Sequence, residues 1–321
     1  MTEFIALKQA AATPGFLALA VVVTLAAFGA NYFVMRAMVR ILPPPSPDDS
    51  GRLFAHGIGP TLVACAIALG VVLPAFLLFE PAHDGEGAGV LLIVLAAAGF
   101  AHMGRVIFRT ARMLRLSRSL IVGWTKGATP LELSAWGLPV FAIDAGFPVV
   151  AVAGLFRPRL FVDRRVLSSC SAGELEAIAA HERAHVERHD NLRRLLIGAC
   201  EGPASAVAAQ WRRAAELAAD RRAASSPRRG VDLAGALIKI ARLAPGHTLD
   251  ATALSTIHDG GSLENRVRQL VATEQRPPHD QHTSFATLLA LLPVALVAGL
   301  NWSTLLRSAH ALTEAAVRHL P

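Results

Sequence analysis

Charge is the scarcest commodity in this 321-residue chain: charged residues make up 17% against 53% hydrophobic, and the mean hydropathy is +0.44. So little charge cannot cover a soluble globule of this size, so part of the surface is expected to face lipid. Cysteine is also rare. The three present, Cys65, Cys170 and Cys200, form no C-x-x-C pair, which excludes a zinc ribbon and a dithiol redox motif and gives no ground for a disulfide. No internal repeat is present, which excludes a solenoid or propeller.

The charge that is there is basic, with a net +7 and a pI near 10.3. Its arginines sit largely beside apolar runs, so anionic lipid and membrane topology account for them better than direct nucleic-acid binding, which is not expected.

Four stretches approach the length of a membrane-crossing helix: residues 14–35, 59–79, 87–108 and 283–302, the last with Pro293 inside it. The first has too long an apolar core and too weakly basic a leader for a signal peptide, and reads as a retained helix. The loop after it carries Arg36, Arg40 and Arg52. The turn at residues 80–86 carries only Glu80, Asp84 and Glu86, and the third stretch is followed by Arg109, Arg112, Arg115 and Arg118, with Arg105 near its end. The positive-inside rule then places the first loop and the segment after Arg109 in the cytoplasm, and the acidic turn outside. The expected layout is mainly α. Three transmembrane helices lie in residues 1–108, a cytoplasmic α+β domain with a small sheet in 109–282, a fourth helix in 283–302, and a short tail in 303–321, all in a cytoplasmic (inner) membrane of bacterial type. His102, near the inner end of the third stretch, reads as interfacial, Trp302 as an interfacial anchor and Trp211 as packing.

Residues 134–156 are apolar too, but Asp144, Pro139, Pro148 and several glycines divide them into short β-rich pieces followed by RLFVD, so a sheet is expected there. From Ser171 the pattern becomes helical, with Ser171 and Glu174 spaced as a capping box. A break is expected near EGP at residues 201–203, a connector at residues 225–230, and further helices at 231–243 and 263–273. The Arg228-Arg229 pair in that connector would be a self-cleavage site if it were exposed and in reach.

His181-Glu182-Arg183-Ala184-His185 is an HExxH sequence. Positions i and i+4 share a helix face, so two imidazoles can reach one tetrahedral zinc at about 2.0–2.1 Å. Glu182, next to the first of them, reaches the metal-bound water. A third ligand is needed, and Glu216 in the downstream ELAAD segment (residues 216–220) is the expected one. Asp220, one turn on, would accept a hydrogen bond from a ligand imidazole, that of His181. His189 stands eight residues beyond His181, about 12 Å of rise on a regular helix, and is expected to be solvated or a substrate contact. Glu187 and Asp190 read as helix-surface charges. Zinc with this ligand set activates water, and Glu182 shuttles the proton. For the oxyanion, His247, His258, Arg266 and Arg268 are open alternatives. A peptide would lie along an edge strand at residues 149–156 or 159–163.

These motifs, together with PVVAVAGLFRPRLFVDRRVL, SSCSAGELEAIAAHERAHVERHDNL (with its trailing Asp190) and LENRVRQL, make residues 139–271 resemble the BlaR/MecR family. Its members are membrane-embedded gluzincin zinc metallopeptidases, related to the HtpX and CaaX-prenyl peptidases. The resemblance implies a zincin-like protease domain facing the cytoplasm, cleavage of a cytoplasmic repressor as the signalling output, and sometimes self-cleavage. Few residues follow the fourth stretch, so the penicillin-binding sensor of the receptor-type members is not expected, and the Asn-Ala-Phe-Ala segment of the HtpX branch is missing. The alternatives are an HtpX-like quality-control protease and a non-enzymatic membrane receptor or scaffold with a vestigial zinc site.

Overall fold

A computed structural model of the chain describes residues 14–41, 45–80, 89–132, 136–145, 150–243, 263–272 and 302–319. Two compact units emerge: Met1–Pro44, Ala55–Ile107 and Gln281–Pro321 form one, Pro45–Phe54 and Phe108–Asp280 the other.

The first unit is built on long apolar helices, two of which, at Ser50–Phe54 and from Phe108 onward, run into the second. These are α1 (Pro14–Ile41), α2 (Ser50–Ile67), its continuation α3 (Leu73–Phe79), and α4 (Val90–Thr125). Among the described residues, three helical stretches are long and apolar enough to cross a membrane: Gly15–Ile41, Ser50–Phe79 and Val90–Thr125. Between α2 and α3 the helix widens into a π turn at Ala68–Val72, where the Leu73 N–H reaches back five residues to the Ala68 carbonyl. Pro74 follows at the start of α3. A proline has no N–H to return to the preceding turn, and a π turn is a common local adjustment at such a place.

Small residues set the closest approach between helices. A Cβ on Gly29 would lie 2.5 Å from the Leu95 carbonyl oxygen, and one on Gly99 would overlap the Leu25 carbonyl oxygen. Backbones this close exclude any side chain at the crossing, a common way for helices to associate in lipid. His102 is buried, covered by α1 and α2. Its ring stacks on Tyr32 with centroids 3.9 Å apart, and its Nε2 lies 3.2 Å from Thr61 Oγ1.

All three helices outrun the lengths expected from hydropathy. The third runs to Thr125, so Arg105, Arg109, Arg112, Arg115 and Arg118 stand on α4 and not on a loop. The run of apolar residues ends near Phe108, but leucine, arginine, methionine and alanine favour helix equally well beyond it. Of the expected fourth span, residues 283–301 lie outside the described residues. Residues expected as a tail form a further helix, Trp302–His319.

The second unit holds a four-stranded mixed sheet: β1 (Thr129–Leu131), β2 (Val140–Ile143), β3 (Val150–Ala153) and β4 (Arg159–Asp163), in the order β1-β2-β4-β3. β2 and β4 are parallel, and the other pairs antiparallel. The period of two sorts the strands' side chains onto two faces. Val140, Val150, Val152, Leu160 and Val162 face a core with Ile178, Leu233, Leu237 and Ile240. Ile143, Ala153 and Phe161 face Leu120, Ile121 and Trp124 from the end of α4. With both faces covered, β3 and most of β4 are buried throughout.

Among the described residues of this unit, six helices follow the sheet: α5 (Arg164–Ser169), α6 (Ala172–Glu187), α7 (Asp190–Glu201), α8 (Ala206–Ala223), α9 (Pro227–Leu243) and α10 (Leu263–Val271). Ser171 and Glu174 cap α6 reciprocally. α7 ends at Gly202 (φ +93°), and Ser205 opens α8 by accepting from the Ala208 N–H. Arg109 reaches the Ala199 and Cys200 carbonyls at 3.4 Å, so a cation meets the negative end of α7. The expected connector at residues 225–230 is shorter than the sequence suggested. Pro227 starts α9, a favourable place for a residue whose φ is already helical, and Arg228 and Arg229 stand on its first turn.

Because the α1–α4 crossing has no room for a side chain, Gly29→Val or Gly99→Val is expected to destabilise the bundle by about 1–3 kcal/mol. Gly104→Ala, where a Cβ meets nothing within 4 Å, is expected to change stability by no more than about 0.5 kcal/mol. Thermal unfolding of the detergent-solubilised protein measures both.

Candidate metal centre

The site is assembled from α6, α8 and α10, with the first turn of α7 beneath it. His181 and His185 sit one turn apart on α6, their rings nearly perpendicular (83°) with centroids 4.7 Å apart. Their Nε2 atoms are 3.1 Å apart. Glu216, from α8, brings Oε2 to 3.4 Å from His181 Nε2 and Oε1 to 3.5 Å from His185 Nε2. One ligand atom from each of the three can lie within 4.8 Å of the others.

Each imidazole is held from behind by a carboxylate. His181 Nδ1 lies 2.9 Å from Asp220 Oδ1, and His185 Nδ1 lies 2.8 Å from Asp190 Oδ2. Asp220 is itself fixed by Arg266, whose Nε and Nη2 each donate to it at 2.7 Å. Arg266 Nη1 also comes within 3.3 Å of Glu216 Oε2.

Asp190 is a correction to the surface role read from the sequence: it is 1% exposed. The helix that would have carried it outward ends at Glu187. His189 then adopts the left-handed conformation (φ +56°), and the chain turns back so that Asp190 starts α7 beneath His185. A non-glycine residue in that region is uncommon; here the Val186 carbonyl accepts from the His189 backbone N–H at 3.0 Å and lies 3.0 Å from its Nδ1. His189 itself is exposed, away from the centre. Glu187 does sit at the surface, paired with Arg222.

Electrostatics follow from this packing. Burial alone would favour neutral His181, but the carboxylates of Asp220 and Glu216 close beside its ring outweigh that and raise its pKa to about 10. Burial works against the Glu216 charge too, yet His185, Arg266 and His181 hold its carboxyl well below the usual range. Asp220 is lowered for the same kind of reason, chiefly by Arg266. Glu182 goes the other way: burial pushes its carboxyl up, and the two histidines only partly offset this. It is fully buried, and neither carboxylate oxygen completes a hydrogen bond, although the Val152 N–H is near enough to favour its charge.

The residues fit a divalent cation on the chemistry of their donors. His185 Nδ1 is hydrogen-bonded to Asp190 and His181 Nδ1 lies 2.9 Å from Asp220; with a proton on each Nδ1, two Nε2 lone pairs are aimed at each other across 3.1 Å. Two such lone pairs and a carboxylate repel unless a proton or a cation lies among them. Two imidazoles with one carboxylate, and a base alongside, is a ligand set that zinc adopts at catalytic sites.

Of the alternatives for an oxyanion donor, Arg266 is committed to Asp220 and Glu216. Arg268 is exposed and paired with Glu264. His247 and His258 lie outside the described residues. Of the two expected peptide-binding strands, β4 is excluded because it is paired on both sides; β3 is the sheet's edge. Arg194 on α7 escaped the sequence reading. It is 7% exposed and feels the charges of Glu216, Asp190 and Glu182. The amphipathic pattern of α7 was its only sequence signal.

In comparisons with known proteins, no family model and no curated protein sequence matches this chain.

Metal analysis of the purified protein after zinc loading is expected to find one zinc per chain, and His181→Ala, His185→Ala and Glu216→Ala to lose it. Asp220→Asn and Asp190→Asn, which disturb the imidazoles from behind, are expected to weaken zinc about 10–100-fold in chelator competition.

Proposed function

We propose that this protein is an integral-membrane zinc endopeptidase of the BlaR/MecR type, with a gluzincin fold in its second unit and a regulatory, signal-transducing role. The observation that carries this reading is the convergence of His181 Nε2, His185 Nε2 and the Glu216 carboxylate within 3.1–3.5 Å, with the buried carboxylate of Glu182 next to the first histidine.

His181, His185 and Glu216 would hold the zinc, which when bound polarises the scissile carbonyl and makes water nucleophilic near neutral pH. Glu182 supplies the base. Its carboxylate takes one proton from the attacking water and gives it to the departing amine nitrogen, so the peptide bond is hydrolysed without a covalent intermediate. Burial, which raises its pKa, suits a carboxylate that must both accept and release a proton.

β3 ends the sheet on one side, so an extended peptide can be added there if it displaces Asn191 from the Val152 carbonyl. The Val152 carbonyl faces that edge, where Asn191 Nδ2 donates to it at 3.2 Å. By the two-residue period of a strand, Val150 turns its backbone groups the same way. A peptide pairing there lies beside Glu182 and keeps its register through main-chain hydrogen bonds.

The three apolar helices support a bilayer as permanent partner. The arginines at positions 36, 40 and 52 and along α4 support a cytoplasmic location for the second unit, in an inner membrane of bacterial type. A cytoplasmic protein, such as a repressor, is then the substrate.

Comparison of protein termini in cells carrying the wild type and Glu182→Gln is the test. We expect at least one cytoplasmic or membrane-associated protein to gain a new terminus only with the wild type. Cleavage of that substrate in vitro should fall by about 10²–10⁴-fold in Glu182→Gln with zinc content preserved. Identical termini in the two strains would refute the assignment.

A further inference from the structure

We infer that Arg194 recognises a carboxylate side chain of a peptide bound along β3, through the cleft that α7 forms beside that strand. The inference rests on the peptidase reading for the identity of its ligand, and on the following geometry for its chemistry.

Two buried arginines flank the metal centre, and they differ in kind. Arg266 is paired: it makes two hydrogen bonds of 2.7 Å to Asp220 and approaches Glu216 at 3.3 Å. Arg194 is 7% exposed, and its Nε and Nη1 have no hydrogen-bond partner. A guanidinium remains charged at physiological pH and offers a planar fork of donors. Burying it without hydrogen bonds is costly, and such a group normally stands where an anion completes it. The carboxylates whose charge it feels, Glu216, Asp190 and Glu182, have other tasks. Glu216 faces both histidines and Arg266, Asp190 holds His185, and Glu182 is the proposed base. None hydrogen-bonds to Arg194.

The surroundings define what can reach it. Arg194 lines a small cleft of about 30 Å³ that opens to solvent, together with Met113, Ser117, Gly154, Leu155 and Asn191. Gly154 and Leu155 continue the chain of β3 beyond Ala153. Gly154 has φ +107°, and a Cβ on it would lie 2.6 Å from the Arg157 carbonyl oxygen, so only glycine makes this turn at the cleft wall. Asn191 ties the Val152 and Gly154 carbonyls together at 3.2 Å each. A peptide extended along β3 would take the place of Asn191 on these carbonyls and pass the mouth of this cleft. Met113 and Leu155 provide apolar contact for a short methylene chain, with the guanidinium at hand for its end. An acidic side chain meets both requirements, since a carboxylate matches the guanidinium fork in charge and shape. A water molecule could accept from the same nitrogens but would bring no charge.

The test uses full-length, zinc-loaded Glu182→Gln protein in detergent, so that binding is read without turnover. Labelled dodecapeptides, in which one position at a time carries Glu or Gln, are titrated by fluorescence anisotropy. At one position we expect Glu to bind about tenfold or more tightly than Gln, with the ratio shrinking as salt rises. Adding Arg194→Leu should bring that ratio close to one, and Arg194→Lys should restore part of it. A parent protein with no preference for Glu at any position overturns the inference without recourse to a variant, and leaves water as the occupant. A preference that survives Arg194→Leu also overturns it. The same peptides incubated with wild type separate the two readings. Cleavage without acidic preference sinks the Arg194 assignment alone; acidic preference without cleavage sinks the peptidase alone. Failure of every peptide to bind sinks both.

Discussion

A neutral imidazole carries one proton, and the nitrogen that keeps it decides what the other can do. Asp220 and Asp190 stand behind His181 and His185 at hydrogen-bond distance from Nδ1, so with a proton on each Nδ1 the Nε2 lone pairs turn inward. Much of the second unit's architecture serves this constraint. α8 must deliver Glu216 and Asp220 one turn apart on the same face, and α10 must deliver Arg266 to hold Asp220. The turn at His189 must bring Asp190 back beneath α6. Ring orientation thus depends on groups that never touch the centre itself.

Charge balance points the same way. Glu182, Asp190, Glu216 and Asp220 are buried in one region with Arg194 and Arg266. Four carboxylates against two guanidiniums leave an excess of two negative charges if the histidines are neutral. Arg188, at the rim and 3.3 Å from Asp190, offsets part of it. Buried charge is tolerated only when it is compensated. In the protein without metal, protons supply the compensation: His181 is held protonated up to a pKa of about 10 and Glu182 is pushed toward its neutral form. A dication would compensate the same excess and free those protons, which is why one set of residues carries both the unusual titration and the ligand geometry.

What was legible in the sequence is what depends on spacing within one element. The i, i+4 histidines, the four-residue interval between Glu216 and Asp220, the Ser171–Glu174 cap and the alternation in β2 to β4 are local, and helix or strand period translates them directly into faces. What was not legible depends on where an element stops or what packs on it. Asp190 looked like a surface charge because a regular helix was extended past Glu187, and no glycine or proline announced the turn at His189. Arg194 drew no notice, because what surrounds it, Met113 and Ser117 from α4 and Ala153 from β3, is distant in sequence. The arginines after residue 108 were placed on a loop because the end of an apolar run was taken for the end of a helix. Burial of His102 required knowing that Tyr32 and Thr61 lie beside it.

The segment from His189 to Arg194 shows how much one turn can determine. His189 sets the direction in which α7 leaves. In that direction Asp190 meets His185, Asn191 meets the Val152 and Gly154 carbonyls at the edge of β3, and Arg194 enters the cleft beside the same strand. Had α6 simply continued, these three side chains would have been carried away from the centre at 1.5 Å per residue. The left-handed residue is therefore a structural requirement of the centre, and its strain is offset by the contacts that follow it. Imidazole orientation, the state of the strand edge and the placement of the free guanidinium are linked through six consecutive residues. A change in the path of α7 would alter all three together.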